Sequence, residues 1–263
     1  MPQPLALWPN QAASEPNLTP CLLDDGKPHP LVLVLPGGGY GHLAPHEAEP
    51  VAQAFNAHGF HAAVLRYRLG PTHRHPLPLN DAQRAIRMIR ARAAEWGVLD
   101  GRVAILGFSA GGHLASSATV HYDRFTAQDD DLVPAHSARP DAAILCYPVI
   151  DLEGKAAHTG SRRNLLGEQA DAELVGRMST HRHVNAQTPP TFLWHTADDG
   201  GVPVDNSLMF FSACRAHQVP AELHVYESGN HGLGLAPGQP YIATWVEHAA
   251  QFLHRHLSCS SPF

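Results

Sequence analysis

Short apolar runs alternate along the chain with longer segments in which apolar residues recur every three or four positions. The runs LVLVL (31–35), AAVLRY (62–67), RVAILGF (102–108), DAAILCYPV (141–149), PTFLWHT (190–196) and AELHVYE (221–227) are rich in Val, Ile, Leu and aromatic residues and predict strands. Between them, 46–58, 79–96, 110–120, 206–217 and 241–256 carry helical spacing, clearest in DAQRAIRMIRARAAEW. Strands that are apolar on both faces and alternate with helices imply a mostly parallel sheet covered on both sides, joined by right-handed crossovers. The expected class is α/β, and the 263 residues read as one domain.

Two stretches break the alternation. Residues 1–30 hold seven prolines and strand-like pieces around ALW and CLL, which suit an antiparallel edge leading into the sheet. In 150–188, about forty residues stand where one crossover helix would suffice, with SRRNLLG and a helix expected from Asp171 to Met178. Ligands of open α/β sheets sit beyond the carboxyl ends of the strands, so a segment leaving that edge is a candidate small cap or lid.

Composition narrows the function. A net charge of −6 and a pI near 6.3 argue against a nucleic-acid partner, and Arg84, Arg87, Arg90 and Arg92 on the second helix read as a solvated charged face. Cys21, Cys146, Cys214 and Cys259 are widely spaced and predict free thiols rather than a zinc site or disulfides. MPQPLALWPN has no basic start, and no apolar stretch approaches the ~18 residues of a membrane span, so a cytoplasmic protein with no membrane partner is expected. Twenty histidines weaken any argument from one of them. The pairs His73/His75, His181/His183 and His254/His256 lack further ligand residues in sequence and are read as ordinary surface or core histidines, with no metal.

GFSAG (107–111) fits G-x-S-x-G, a pattern short enough to arise by chance in so glycine-rich a chain. Its context supports a nucleophile elbow at Ser109: a strand before it, a helix after it, and glycines at 107 and 111 where a strained turn leaves no space. A serine hydroxyl needs an imidazole to accept its proton. His231, in the glycine-flanked ESGNHGLG after the last strand, is the candidate base; His113 lies one helical turn past the serine and would point along the helix. FLWHTADDGGVP offers Asp198 and Asp199 as the orienting acid, of which only one can face the base, and the order Ser109, aspartate, His231 is that of α/β-hydrolases. Asp205 is expected to cap the following helix. LVLVLPGGGYG supplies an oxyanion hole from the N–H groups of Gly38 and Gly39 together with Ala110. Tyr40, Tyr67 and Trp194 are candidate lining residues, with Tyr40 the preferred substrate contact and core burial an equal reading for the other two.

The segments LPGGGYGHLAPHE, AVLRYRLGPTHRHPLPLNDAQRAIRMIR, GFSAGGHLAS, PPTFLWHTADDGGVPVDNSL and ESGNHGLGL together resemble the α/β-hydrolase esterases related to hormone-sensitive lipase, specifically the small acetyl xylan esterase-like carboxylesterases. The resemblance implies hydrolysis of small-acyl esters, acetylated sugars or xylo-oligosaccharides among them, with no cofactor. Lipase-like relatives have a histidine where this chain has Pro36. TADD is also similar to the acid loop of prolyl-oligopeptidase-type hydrolases, where the first aspartate serves, and on that similarity Asp198 is preferred. The N-terminal 30 residues leave no room for those peptidases' propeller. An amidase such as an arylformamidase would use the same triad, and a non-catalytic binding protein on the same fold is the alternative of another class. A homodimer through a sheet edge or the last helix is compatible with the sequence.

Overall fold

In the computed structural model, which describes residues 3–9, 16–127, 130–132 and 135–257, eight strands form one sheet in the order β1-β2-β4-β3-β5-β6-β7-β8. These are β1 (Leu5–Ala6), β2 (Asn17–Cys21), β3 (His29–Leu35), β4 (His61–Arg66), β5 (Val98–Phe108), β6 (Ala142–Cys146), β7 (Thr191–Thr196) and β8 (Ala221–Tyr226). From β4 across to β8 neighbouring strands are parallel, whereas β2 pairs antiparallel with β4 and β1 antiparallel with β2. An N-terminal antiparallel edge is therefore present, but its second strand is NLTPC, which ends at Cys21 where the expected piece CLL begins.

The two-sided burial that made the strand runs uniformly apolar is visible residue by residue. On β3, Leu31, Leu33 and Leu35 enter one core cluster while Val32 and Val34 enter the other. Helices α2 (Leu77–Ala91), α4 (Ser109–Val120) and α7 (Asp205–Ala216) cover the first face, and α1 (Glu49–Ala57) and α9 (Trp245–Leu257) the second. Boundaries shift where local chemistry requires. Pro50 in the first turn starts α1 later than expected, after a 3₁₀ turn at Pro45–Glu47. The second helix stops at Ala91, and α3 (Ala93–Trp96) follows, ended by the left-handed Gly97. Asp205 opens α7, but Val204 occupies the cap and no side-chain cap bond forms, so the expected capping role is not observed.

The arginines on α2 correct a second expectation. Arg84 and Arg87 are buried, 5% and 4% exposed, and share Asp130: Arg84 Nη1 lies 2.6 Å from Oδ1 and Arg87 Nη1 2.7 Å from Oδ2. Arg90 pairs with Asp141 and only Arg92 sits in an exposed pair, with Glu95. The partners of the inner pair lie more than 40 residues on in sequence, out of reach of a helical-periodicity reading.

The 150–188 segment is mostly ordered as α5 (Thr159–Leu166), α6 (Ala172–Arg177) and a 3₁₀ turn at Thr180–His183. Asp171 caps α6 by accepting from the Leu174 N–H at 2.7 Å. Asn206 of α7 moors the start of the segment, accepting from the N–H groups of Ile150 and Asp151 and donating to Ala156 O. Cys21, Cys146 and Cys214 are free thiols; Cys259 lies outside the described residues. No helix among the described residues is long and apolar enough to cross a membrane.

Candidate active site

The chain runs outward from β3 to β4 and then returns to the other side of β3 as β5, so the sheet's switch point lies between β3 and β5. The two loops that leave their carboxyl ends are PGGGY and GFSAG. Ser109 itself has a positive φ of 51°, costly for a residue with a Cβ, and is held there by its surroundings. A Cβ at position 107 would lie 2.1 Å from Gly111 O, and one at 111 would lie 2.2 Å from Leu35 O. Only glycine fits at either side of the turn, which is the physical content of the five-letter pattern.

His231 sits in the loop after β8, and its Nε2 is 2.8 Å from Ser109 Oγ. Its Nδ1 is 2.7 Å from Asp199 Oδ2. An ionised carboxylate only accepts, so Nδ1 carries the proton and Nε2 is left to accept from the serine hydroxyl. The carboxylate that meets His231 is thus that of Asp199 and not the preferred Asp198. Past Thr196 the chain leaves β7 in a turn closed by Asp199 N–H to Thr196 O, and the two carboxylates part there. Asp198 points to the exposed rim, accepting from Ser228 Oγ and Gly229 N–H, while Asp199 turns inward. Burial raises the Asp199 carboxyl, but bonds from His195, His231 and the Val202 N–H outweigh it and hold it well below the usual carboxylate range.

His195 is a further residue of the site, without a motif of its own in the sequence. Fully buried on β7, its Nε2 lies 2.9 Å from Val202 O and 3.3 Å from Asp199 Oδ2, and its Nδ1 lies 2.8 Å from Ser207 Oγ. The available signal was one imidazole inside the otherwise apolar TFLWHT. His113, the rejected rival base, is buried away from the serine: Tyr40 Oη donates to Nδ1 at 2.8 Å and Nε2–H donates to Met178 O at 2.8 Å. Burial, against the Met178 bond, pushes His113 down to about 4.

In the glycine loop, Gly38 and Gly39 have φ of 125° and 63°. Gly37 O accepts from Ala44 N–H, and Gly38 O accepts from the N–H groups of Gly41 and His42. Because a trans peptide points its C=O and N–H in opposite directions, the N–H groups of Gly38 and Gly39 are turned away from that turn. Among the described residues neither donates to a protein acceptor. Ala110, second in α4, likewise has no partner within the helix. Tyr40 departs from expectation: it is 1% exposed, with its ring against Tyr67 and His113, so it serves the core and does not line an open site. Tyr67 and Trp194 are also fully buried.

From α5, Asn164 Nδ2 donates to Gly39 O at 2.8 Å. His158, the cap of α5, accepts at Nδ1 from Ser161 N–H, so its proton is on Nε2. Burial, reinforced by nearby His231, pushes its pKa down. Asn164 also borders a cavity of about 580 Å³ whose other walls include Arg74, Arg163, Glu168 and Gln169. Among the described residues no three His, Cys, Asp or Glu side chains are grouped to hold a metal.

The elbow at the switch point of this sheet is the architecture of an α/β-hydrolase fold. The chain belongs to the BD-FAE family, whose model matches residues 23–214. It is similar to the crystal structure of an acetyl ester-xyloside bifunctional hydrolase from Caldicellulosiruptor lactoaceticus, with 44% identity, a TM-score of 0.89 and 97% of each chain covered. Endo-1,4-beta-xylanase B of Butyrivibrio fibrisolvens is 39% identical over 88% of this chain and 36% of its own length. An acetylxylan esterase of Xylanibacter ruminicola is 32% identical over 89% of this chain and 45% of its own length. The chain thus spans less than half of each of these two relatives.

Proposed function

We propose that the protein is a serine hydrolase of small-acyl carboxylic esters, with acetylated sugars or xylo-oligosaccharides as the substrate class. The observation that carries this reading is the unbroken row Ser109 Oγ, His231 Nε2, His231 Nδ1, Asp199 Oδ2, with contacts of 2.8 and 2.7 Å at its two ends. Its similarity to an acetyl ester-xyloside hydrolase and an acetylxylan esterase supports the acyl and sugar preference.

His231 removes the Ser109 proton as Oγ attacks the ester carbonyl, and Asp199 holds the imidazolium that results. The N–H groups of Gly38, Gly39 and Ala110 receive the oxyanion, aided by the positive end of α4. His231 then gives its proton to the leaving alkoxide, and a water activated by the same imidazole frees the acyl group. The α5 segment forms a cap on the alcohol side, where His158 Nε2–H is a neutral donor.

A panel of p-nitrophenyl acetate through octanoate, with acetylated xylose and acetylated xylan beside it, tests the reading. The expected result is a preference for acetate and release of acetate from both carbohydrates. Ser109→Ala should lower the rate by about 10⁴-fold or more, and a fully active Ser109→Ala protein would overturn the assignment.

A further inference from the structure

We infer that Glu47 is a positioning residue that couples the oxyanion loop to the loop carrying the base. It rests on the ester-hydrolase reading and extends it to a residue that touches neither substrate nor reacting atoms. Glu47 ends the 3₁₀ turn at Pro45–Glu47 and is 2% exposed, although no Lys or Arg is paired with it among the described residues. Its carboxylate reaches two loops at once. Oε2 accepts from the Gly37 N–H at 2.7 Å, and Oε1 accepts from Tyr147 Oη at 2.6 Å. The Tyr147 oxygen in turn accepts from the Gly234 N–H at 2.8 Å, three residues past His231. The Tyr147 ring meets the His231 ring edge-on, with centroids 5.1 Å apart.

The row Gly37, Glu47, Tyr147, Gly234 therefore crosses the site beneath the serine. A Cβ at Gly37 would fall 2.7 Å from Glu47 Oε2 and 3.1 Å from Ser109 Cβ, so the carboxylate and the nucleophile both crowd this backbone unit. The same turn grips the base loop a second time through His46 Nε2, 2.8 Å from Gly232 O. Moving Gly37 moves the Gly38 and Gly39 donors; moving Tyr147 moves the wall against which His231 rests. A rigid link between them sets the spacing of donors and base. Glutamate suits the position because both oxygens only accept and both partners donate. Glutamine offers one acceptor and turns an N–H₂ toward one of those donors.

The test is steady-state kinetics on p-nitrophenyl acetate for wild type, Glu47→Gln, Tyr147→Phe and the double variant. Rates are normalised to competent serines titrated with a fluorophosphonate, and melting curves are recorded alongside. Expected are a kcat per titrated serine lower by about tenfold or more in Glu47→Gln, KM within about threefold, a smaller fall in Tyr147→Phe, and a double variant no worse than Glu47→Gln. A purely structural role would lower the melting temperature and the number of titratable serines, leaving kcat per serine unchanged; that result overturns the proposal, as does a double variant in which the two losses multiply. If Glu47→Gln gives no folded protein, Tyr147→Phe decides: wild-type kcat per serine overturns the proposal, and a fall of about threefold or more supports it. A wild type unable to hydrolyse any ester of the panel would instead count against the ester-hydrolase reading.

Discussion

Asp199 Oδ2 stands between two imidazoles, 2.7 Å from His231 Nδ1 and 3.3 Å from His195 Nε2, while Oδ1 takes the N–H groups of Gly201 and Val202. Four donors on one carboxylate leave it no freedom to turn. Asp199→Asn places an amide where His231 needs an acceptor and favours the wrong tautomer. We expect kcat to fall by about 10³- to 10⁴-fold. Asp198→Asn keeps an oxygen at the rim and should change kcat by less than about tenfold. Parallel assays of the two variants check this; a more damaging Asp198→Asn would reverse the assignment.

The glycines of the elbow predict a loss of stability separate from any loss of activity. Gly107→Ala and Gly111→Ala drive a methyl into backbone carbonyl oxygens at 2.1 and 2.2 Å, where no side-chain rotation can relieve the clash. Overpacking against backbone should cost at least about 1–3 kcal/mol, and chemical denaturation would show it as a lower midpoint at unchanged slope.

Stability should fall as the solution becomes mildly acidic. Burial pushes His113 and His121 down to about 4, below the ordinary value of 6.5, so between those limits the unfolded chain binds protons that the folded chain refuses. Stability is therefore full above pH 6.5 and is lost progressively toward pH 4, by about 1.4 kcal/mol per pH unit for each such histidine. Urea midpoints at pH 7.5, 6.5, 5.5 and 4.5 should decline in step, and His121→Gln should flatten the decline. A flat profile in the wild type would contradict this account.

Asp130 holds two buried guanidinium groups; its removal leaves Arg87 without a carboxylate and Arg84 with only the exposed Asp131. Asp130→Ala should destabilise by about 3–5 kcal/mol, whereas Glu95→Ala, which opens the exposed pair with Arg92, should cost less than about 1 kcal/mol. Comparison of the two unfolding curves distinguishes a buried network from a solvated charged face.

The parts legible in the sequence are those whose determinants are local. LVLVL declares a strand buried on both faces because Leu and Val alternate between two cores. GFSAG, PGGGY and GNHG declare their turns because only glycine tolerates the backbone or the close approach required. What stayed hidden depends on direction or distance. Asp198 and Asp199 are chemically identical neighbours, separated only by which way each leaves the chain. Arg84 and Arg87 resemble a solvated stripe until Asp130 arrives from beyond α4. Glu47 meets Tyr147 across 100 residues, and no local pattern marks either as a partner of the other.

Asn164 ties the Gly39 carbonyl to α5, so the chain's least regular segment is wired into the loop that faces the reacting oxygen. For anyone redesigning this protein, the 150–188 segment and the glycine loop are then not separate modules. A graft that replaces 150–188 to admit a bulkier ester would retune turnover along with selectivity, unless it returns a donor to the place Asn164 holds.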